Sequence, residues 1–166
     1  GNVLAFKNVY NRLNIPVTVA RSANDLVNAT KLILPGVGSF DHAMQQLEQS
    51  GMRQSIEQLV LQQEMPVLGI CVGMQMLAKS SNEGKLPGLG WIDGEVVPLA
   101  PGDASLKIPH IGWNDMNITN GAGHPVLAGL DTGAHAYFVH SFHFKPSSPD
   151  HILAEADYGG AVAAIV

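Results

Sequence analysis

The sequence predicts an α/β fold: an open, mostly parallel central sheet with helices on both faces, flavodoxin-like in type, with antiparallel strands added in the second half. Three observations carry this expectation. The first half alternates short apolar or β-branched runs with helical patterns, as a parallel sheet covered on both faces requires. One of those runs, Pro66-Val67-Leu68-Gly69-Ile70, is apolar throughout, as expected of a strand buried on both faces. After Ser80 the texture changes, and glycine, proline and aspartate punctuate a series of short strands.

Taken in order, Asn2 is placed to cap a first helix in which Val3, Phe6, Val9, Tyr10 and Leu13 recur at steps of three and four, and Asn14 breaks it. The β-branched run Ile15-Pro16-Val17-Thr18-Val19 reads as a strand. Residues 22–29 read as a short helix capped by Ser22 or Asn24. Lys31-Leu32-Ile33-Leu34 is a second strand, ended by the loop Pro35-Gly36-Val37-Gly38. Residues 41–63 are amphipathic, with Ala43, Met44, Leu47, Ile56, Leu59 and Val60 on one side, and Gly51 divides them in two. The strand 66–70 follows, then a helix over 72–79 and strands over 90–97, 107–118, 136–144 and 152–157.

A chain of 166 residues suits a single domain, 1–166. Hydrophobic residues at 46% against 14% charged exclude a disordered chain. A formal charge of −5 offers no basic patch, so nucleic acid is not an expected partner. The longest nearly apolar run, 65–74, is half the roughly 20 residues a bilayer span needs, and no secretory leader is visible. One cysteine cannot form an internal disulfide, which fits a reducing, cytoplasmic setting and leaves the thiol free. The histidines show no ligand spacing with other cysteines, so neither a metal nor another cofactor is expected. Both ends resemble interior chain. Residue 1 is not methionine and 161–166 are all apolar, so further sequence is expected beyond each end.

The motif that carries chemistry is Gly69-Ile70-Cys71-Val72-Gly73, which follows an apolar strand and opens a helix. This is the setting of a nucleophile elbow, in which a sharp turn lifts a reactive side chain above the sheet edge. Glycines two residues either side make room for the crowded backbones. The helix N-terminus favours thiolate over thiol and aims the Val72 N–H at the place where an oxyanion would form. The plainer alternative is a structural cysteine buried in a core strand. A second motif, Leu34-Pro35-Gly36-Val37-Gly38-Ser39-Phe40, puts a glycine-rich turn at a strand's C-terminal end, where open α/β sheets bind ligands. Such a turn can present backbone N–H groups to an anion, or be an ordinary connection. It lacks the Lys-Ser/Thr ending of a phosphate-binding loop.

Together these segments resemble the class I (triad-type) glutamine amidotransferases. The 35–40 turn is similar to their oxyanion strand, and Pro66 through Leu77 to their nucleophile segment. Within the class, the wording is most similar to the glutaminases of histidine biosynthesis. Further matches are Gly88-Leu89-Gly90-Trp91-Ile92-Asp93-Gly94, Lys107-Ile108-Pro109-His110-Ile111-Gly112-Trp113-Asn114 and Tyr137-Phe138-Val139-His140-Ser141. The resemblance implies that Cys71 attacks the side-chain amide of glutamine, releasing ammonia from a thioester that water then hydrolyses. It implies oxyanion donors from Val72 and the Gly36–Val37 peptide, and substrate contacts from Gln75, Ser141 and Phe142. The family usually has tyrosine at the place of Phe142, so a backbone contact there would persist and a hydroxyl contact would not. It also implies a partner, a (β/α)₈-barrel cyclase that receives the ammonia, with Asn2, Pro109 and Trp113 facing it. Without the resemblance, Trp113 reads as a core or edge aromatic.

One part of the family pattern is not in these residues. The family's base comes from a His-Pro-Glu segment near the C-terminus, and none of His42, His110, His124, His135, His140, His143 or His151 is followed by Pro-Glu. The segment is expected beyond the end, since 161–166 resembles the strand leading into it. An alternative is an unconventional dyad using His140 or His143, which on one continuous strand would point to opposite faces. Two other functions remain open on the sequence: another cysteine hydrolase on the same scaffold, or a non-catalytic docking module.

Overall fold

The computed structural model describes residues 3–166, in two compact units that divide after Leu77. Asn2, the expected cap and partner contact, lies outside the described residues. The α/β class and the change from parallel to antiparallel pairing along the chain are both present.

In the N-terminal unit, helix α1 (Val3–Arg12) ends where expected. Asn14 takes φ 55°, its N–H donates to the Asn11 carbonyl, and the Ile15 N–H reaches back to Tyr10. These two bonds satisfy carbonyls that the last turn leaves open. The expected apolar face is not sunk into a core, however, because none of the α1 residues is buried. The expected strand over 15–19 is also not found. Those residues have no ladder partner among the described residues, and β-branched character needs a partner to become a strand. The short helix expected over 22–29 contracts to a single 3₁₀ turn, Ala23–Leu26.

Strand β1 (Leu32–Gly36) pairs in parallel with β2 (Val67–Cys71), in register from Leu32 against Val67 to Gly36 against Cys71. Between them lie α2 (Phe40–Gln49) and α3 (Arg53–Glu57), the latter running into a π-helical turn, Gln58–Gln62. They are separated at Gly51 (φ 68°), as the sequence predicts. Phe40, Met44 and Leu47, at helical spacing on α2, are buried with Ile56. The expectation that the 66–70 strand is buried on both faces does not hold. Leu68 is 41% exposed, and β1 and β2 pair only with each other among the described strands.

Helix α4 (Val72–Gln75) starts directly at the end of β2 and is one turn long, not the two turns expected over 72–79. Its first turn packs against both strands at a joint that only glycine permits. A Cβ on Gly73 would lie 1.7 Å from the Leu34 carbonyl oxygen, one on Gly69 2.6 Å from Met74 Cα, and one on Gly36 2.4 Å from the Gly73 nitrogen. All are backbone clashes that no rotamer can relieve.

The C-terminal unit begins with β3 (Ser80–Ser81) and β4 (Gly94–Pro98), and β4 pairs antiparallel with β7 (Phe142–Pro146). A second sheet has the order β6-β5-β8-β9, from Ala134–His140, His110–Ile118, Ala154–Asp157 and Ala161–Ile165. The single strand expected over 136–144 is therefore two strands that break at Ser141, β6 in one sheet and β7 in the other. Val96 and Phe144, both fully buried, centre the interior of the first sheet. In the second, His110 (3% exposed) is stacked between Phe138 and Tyr158, with ring centroids at 4.8 and 3.8 Å.

That buried imidazole is wired to a second. His140 Nδ1 lies 3.0 Å from the Phe142 carbonyl oxygen, which can only accept, so this nitrogen carries the proton. His140 Nε2 then accepts from His110 Nδ1 at 3.1 Å. At the far end, the Asn114 carbonyl oxygen accepts from the Asp115 N–H and its amide donates to the Asp157 carbonyl at 2.8 Å. The amide orientation is thereby fixed, with its NH₂ facing His110 Nε2 at 3.5 Å. Burial, then the neighbouring His140, hold His110 below the ordinary imidazole pKa; burial does the same to His140 and His143.

Two outcomes follow from these features. Gly73→Ala is expected to cost at least about 3 kcal/mol, the upper range for forced overpacking, measured as a fall in the urea midpoint. Gly123→Ala, where a Cβ meets open space, is strained only by its φ of 80° and should cost less. The three lowered histidines bind protons less readily when folded than when unfolded. Their contribution is complete above the unfolded value of about 6.5 and is lost as pH falls through it toward the native values. The urea midpoint should be level above about pH 7.5 and decline below about pH 6.5; a rise over that interval contradicts the assignment.

Candidate active site

Cys71 ends β2 and begins α4 in one residue, which forces φ 56° and ψ −122°. Only Asn14 and Glu64 share a positive φ among the described non-glycine residues. Such a backbone costs on the order of 1–3 kcal/mol and persists only where its surroundings over-determine it. Here the glycine joint supplies that constraint: α4 must turn back against β1 and β2 at once. The turn leaves the Cys71 thiol exposed while Val72 and Gly73 behind it are buried. The alternative of a cysteine sealed in a core strand is thereby removed.

The same joint brings the glycine-rich turn to the cysteine. Gly36 is the register partner of Cys71 and lies within contact of the Val72 and Gly73 backbones. Val37 follows, 62% exposed, and Gly38 (φ 90°) turns the chain into Ser39, the residue preceding α2. Gly36, Val37, Cys71 and Val72 are thus gathered around one strand end. Gln75, one helical turn on, is buried at 8% exposure and is no solvent-facing helix residue.

The remaining expected residues belong to the C-terminal unit. Ser141 and Phe142 form the break between β6 and β7. The Ser141 carbonyl accepts from the Leu99 N–H at 2.8 Å, and the Phe142 carbonyl from His140. Pro109, preceded by a cis peptide bond, and Trp113 are exposed at the start of β5. Trp113 is 73% exposed and meets Tyr137 edge-on at 5.5 Å. Ile111 and Val139 flank this pair on the same face, at 59% and 58% exposure.

The idea of a dyad through His140 fails on its own hydrogen bonds, since both ring nitrogens are engaged within the C-terminal unit. His143 does not share a strand with it, and its Nδ1 is buried without a partner. Sequence reasoning did not single out His110 or Tyr158. The signal available was His110, Gly112 and Asn114 alternating with Ile111 and Trp113, which marks an inward polar face opposite an outward apolar one.

Comparison with known proteins gives the family and the fold. The family model for glutamine amidotransferase class-I matches residues 5–166. Imidazole glycerol phosphate synthase subunit HisH of Bdellovibrio bacteriovorus is 55% identical over 161 residues, covering 96% of this chain and 78% of that protein. The HisH of Cereibacter sphaeroides is 46% identical, covering 90% and 71%, and HisH 2 of Pseudomonas aeruginosa is 40% identical, covering 100% and 81%. A crystal structure of a glutamine amidotransferase superposes with a TM-score of 0.71 at 20% identity, over 93% of this chain and 75% of that one, which is a likeness of fold. The strand-to-helix cysteine, the glycine turn beside it and these similarities converge: the chain belongs to the class I glutamine amidotransferase family, among the HisH subunits of imidazole glycerol phosphate synthase.

Proposed function

We propose that this chain is a glutaminase subunit that hydrolyses glutamine to glutamate and ammonia and delivers the ammonia to a cyclase, which makes imidazole glycerol phosphate and AICAR in histidine biosynthesis. The observation that carries the reading is the exposed thiol of Cys71 at φ 56°, beside the Gly36–Val37 turn and the start of α4. Cys71 Sγ attacks the amide carbon, and the carbonyl oxygen becomes an oxyanion facing the N–H groups of Val72 and the 36–37 peptide. The C–N bond breaks as the nitrogen takes up the proton the thiol gave up, ammonia leaves, and water cleaves the thioester to free glutamate and restore the thiol. Gln75, Ser141 and Phe142 hold the glutamine. The family's His-Pro-Glu base is not among these residues; the roles assigned to them are the nucleophile, the oxyanion donors and the substrate contacts.

The partner reading rests on the outer face of β5–β6. Ile111, Trp113, Tyr137 and Val139 form a cross-strand apolar patch with Pro109 at its edge, and no charged side chain interrupts the four. An exposed cluster with a tryptophan and a tyrosine has the composition of an interface centre. We assign it, with Asn2, to the (β/α)₈-barrel cyclase, in a cytoplasmic heterodimer. No described helix is long and apolar enough to cross a membrane.

Two experiments test this, both with protein from the full gene and a cyclase barrel. Cys71→Ala should reduce ammonia release from glutamine by at least about 10⁴-fold while the complex still forms; retained hydrolysis contradicts the nucleophile assignment. Trp113→Ala should weaken binding to the barrel by about 30-fold or more, as truncation of a central aromatic does. Unchanged affinity by calorimetry removes this patch from the interface.

A further inference from the structure

Strand pairing alone does not require the imidazole chain of the C-terminal unit. His110 and His140 are register partners, so backbone geometry already places them side by side. The additional bond from His140 crosses the break at Ser141 and seizes the first carbonyl of the next strand. With Leu99 holding the Ser141 carbonyl, both peptide oxygens of the break are fixed from different directions. Direction along the chain is set at its two ends, by the Phe142 carbonyl and by the anchored Asn114 amide, and the two ends agree.

We propose that His110 and His140 are positioning residues for glutamine binding: His140 orients the Phe142 peptide, and His110 sets the tautomer and tilt of His140. The inference rests on the reading of Ser141 and Phe142 as the segment that holds the amino-acid end of glutamine. Neither ring touches the substrate. His110 is held by its stack between Phe138 and Tyr158, and the Tyr158 hydroxyl is itself tied to the Lys107 carbonyl at 2.6 Å. Both rings must therefore carry their proton on Nδ1, and neither has a site for a second. The groups facing the pair are Asn114 on β5, Phe138 on β6, the Asp157 carbonyl and Tyr158 after β8, and His143 on β7. No carboxylate hydrogen-bonds either ring among the described contacts, so no paired anion offsets an added charge.

The test uses the full-length protein in complex with the cyclase barrel. Long-range proton–nitrogen NMR at about pH 7.5 should show His110 and His140 as neutral Nδ1–H tautomers. An Nε2–H tautomer or a protonated ring at either position overturns the proposal. His110→Phe keeps the stack and removes the donor. It should raise KM for glutamine about fivefold with kcat within about twofold, the size of one lost hydrogen bond. His110→Asn, which returns an N–H near the place of Nδ1, should restore most of the loss. An unchanged KM in folded His110→Phe, with the parent enzyme active and dependent on Cys71, overturns this inference alone. A parent complex that releases no ammonia from glutamine overturns it together with the proposed function.

Discussion

The close approach of three backbones determines the architecture around Cys71. The C-terminal ends of β1 and β2 and the first turn of α4 meet at distances that exclude any side chain at Gly36, Gly69 and Gly73. Because α4 has no slack, the residue joining it to β2 must take up the whole change of direction, and that residue is Cys71. The positive φ of Cys71, its exposure, and the adjacency of the Gly36–Val37 peptide to Val72 are consequences of one packing constraint. The strain at the cysteine is local; its stabilisation is distributed over the joint and over the α2 residues Phe40, Met44 and Leu47 buried within the same unit.

The C-terminal unit uses the two-residue period of a β-ribbon to separate two tasks. On β5–β6 the odd-numbered residues 111, 113, 137 and 139 face outward and are apolar, while His110, Asn114, Phe138 and His140 face the interior. A shift of one residue in register would exchange these faces, so the His110–His140 bond and the Trp113–Tyr137 contact depend on one alignment. The break at Ser141 then carries the chain from one sheet to the other, and the imidazole pair spans that break.

The elbow was legible because its determinants are local. A strand, two flanking glycines and a helix start sit within a dozen residues, and each has few physical explanations. The division of the 41–63 helical segment at Gly51 was legible for the same reason. What the sequence concealed depends on long-range partners. The 15–19 run has strand composition but no neighbour among the described residues. The 66–70 strand is apolar throughout yet half-exposed, because apolar content does not report how many strands lie alongside. The split at Ser141 was hidden by unbroken strand composition from Ala136 to Phe144, and with it the separation of His140 from His143. His110 was invisible because its role is set by Tyr158, 48 residues away in the sequence and meeting it only through sheet pairing.

The central claim is that the thiol of Cys71 stands open to a glutamine side chain, with backbone donors arranged for the oxyanion that forms when it attacks the amide carbon. The most direct measurement is intact-mass and peptide analysis after treating the cyclase complex with a glutamine analogue carrying an electrophilic ketone in place of the amide. The account predicts one adduct per chain, on Cys71, formed more slowly when glutamine is present. An unmodified Cys71, or labelling that glutamine does not slow, would contradict it.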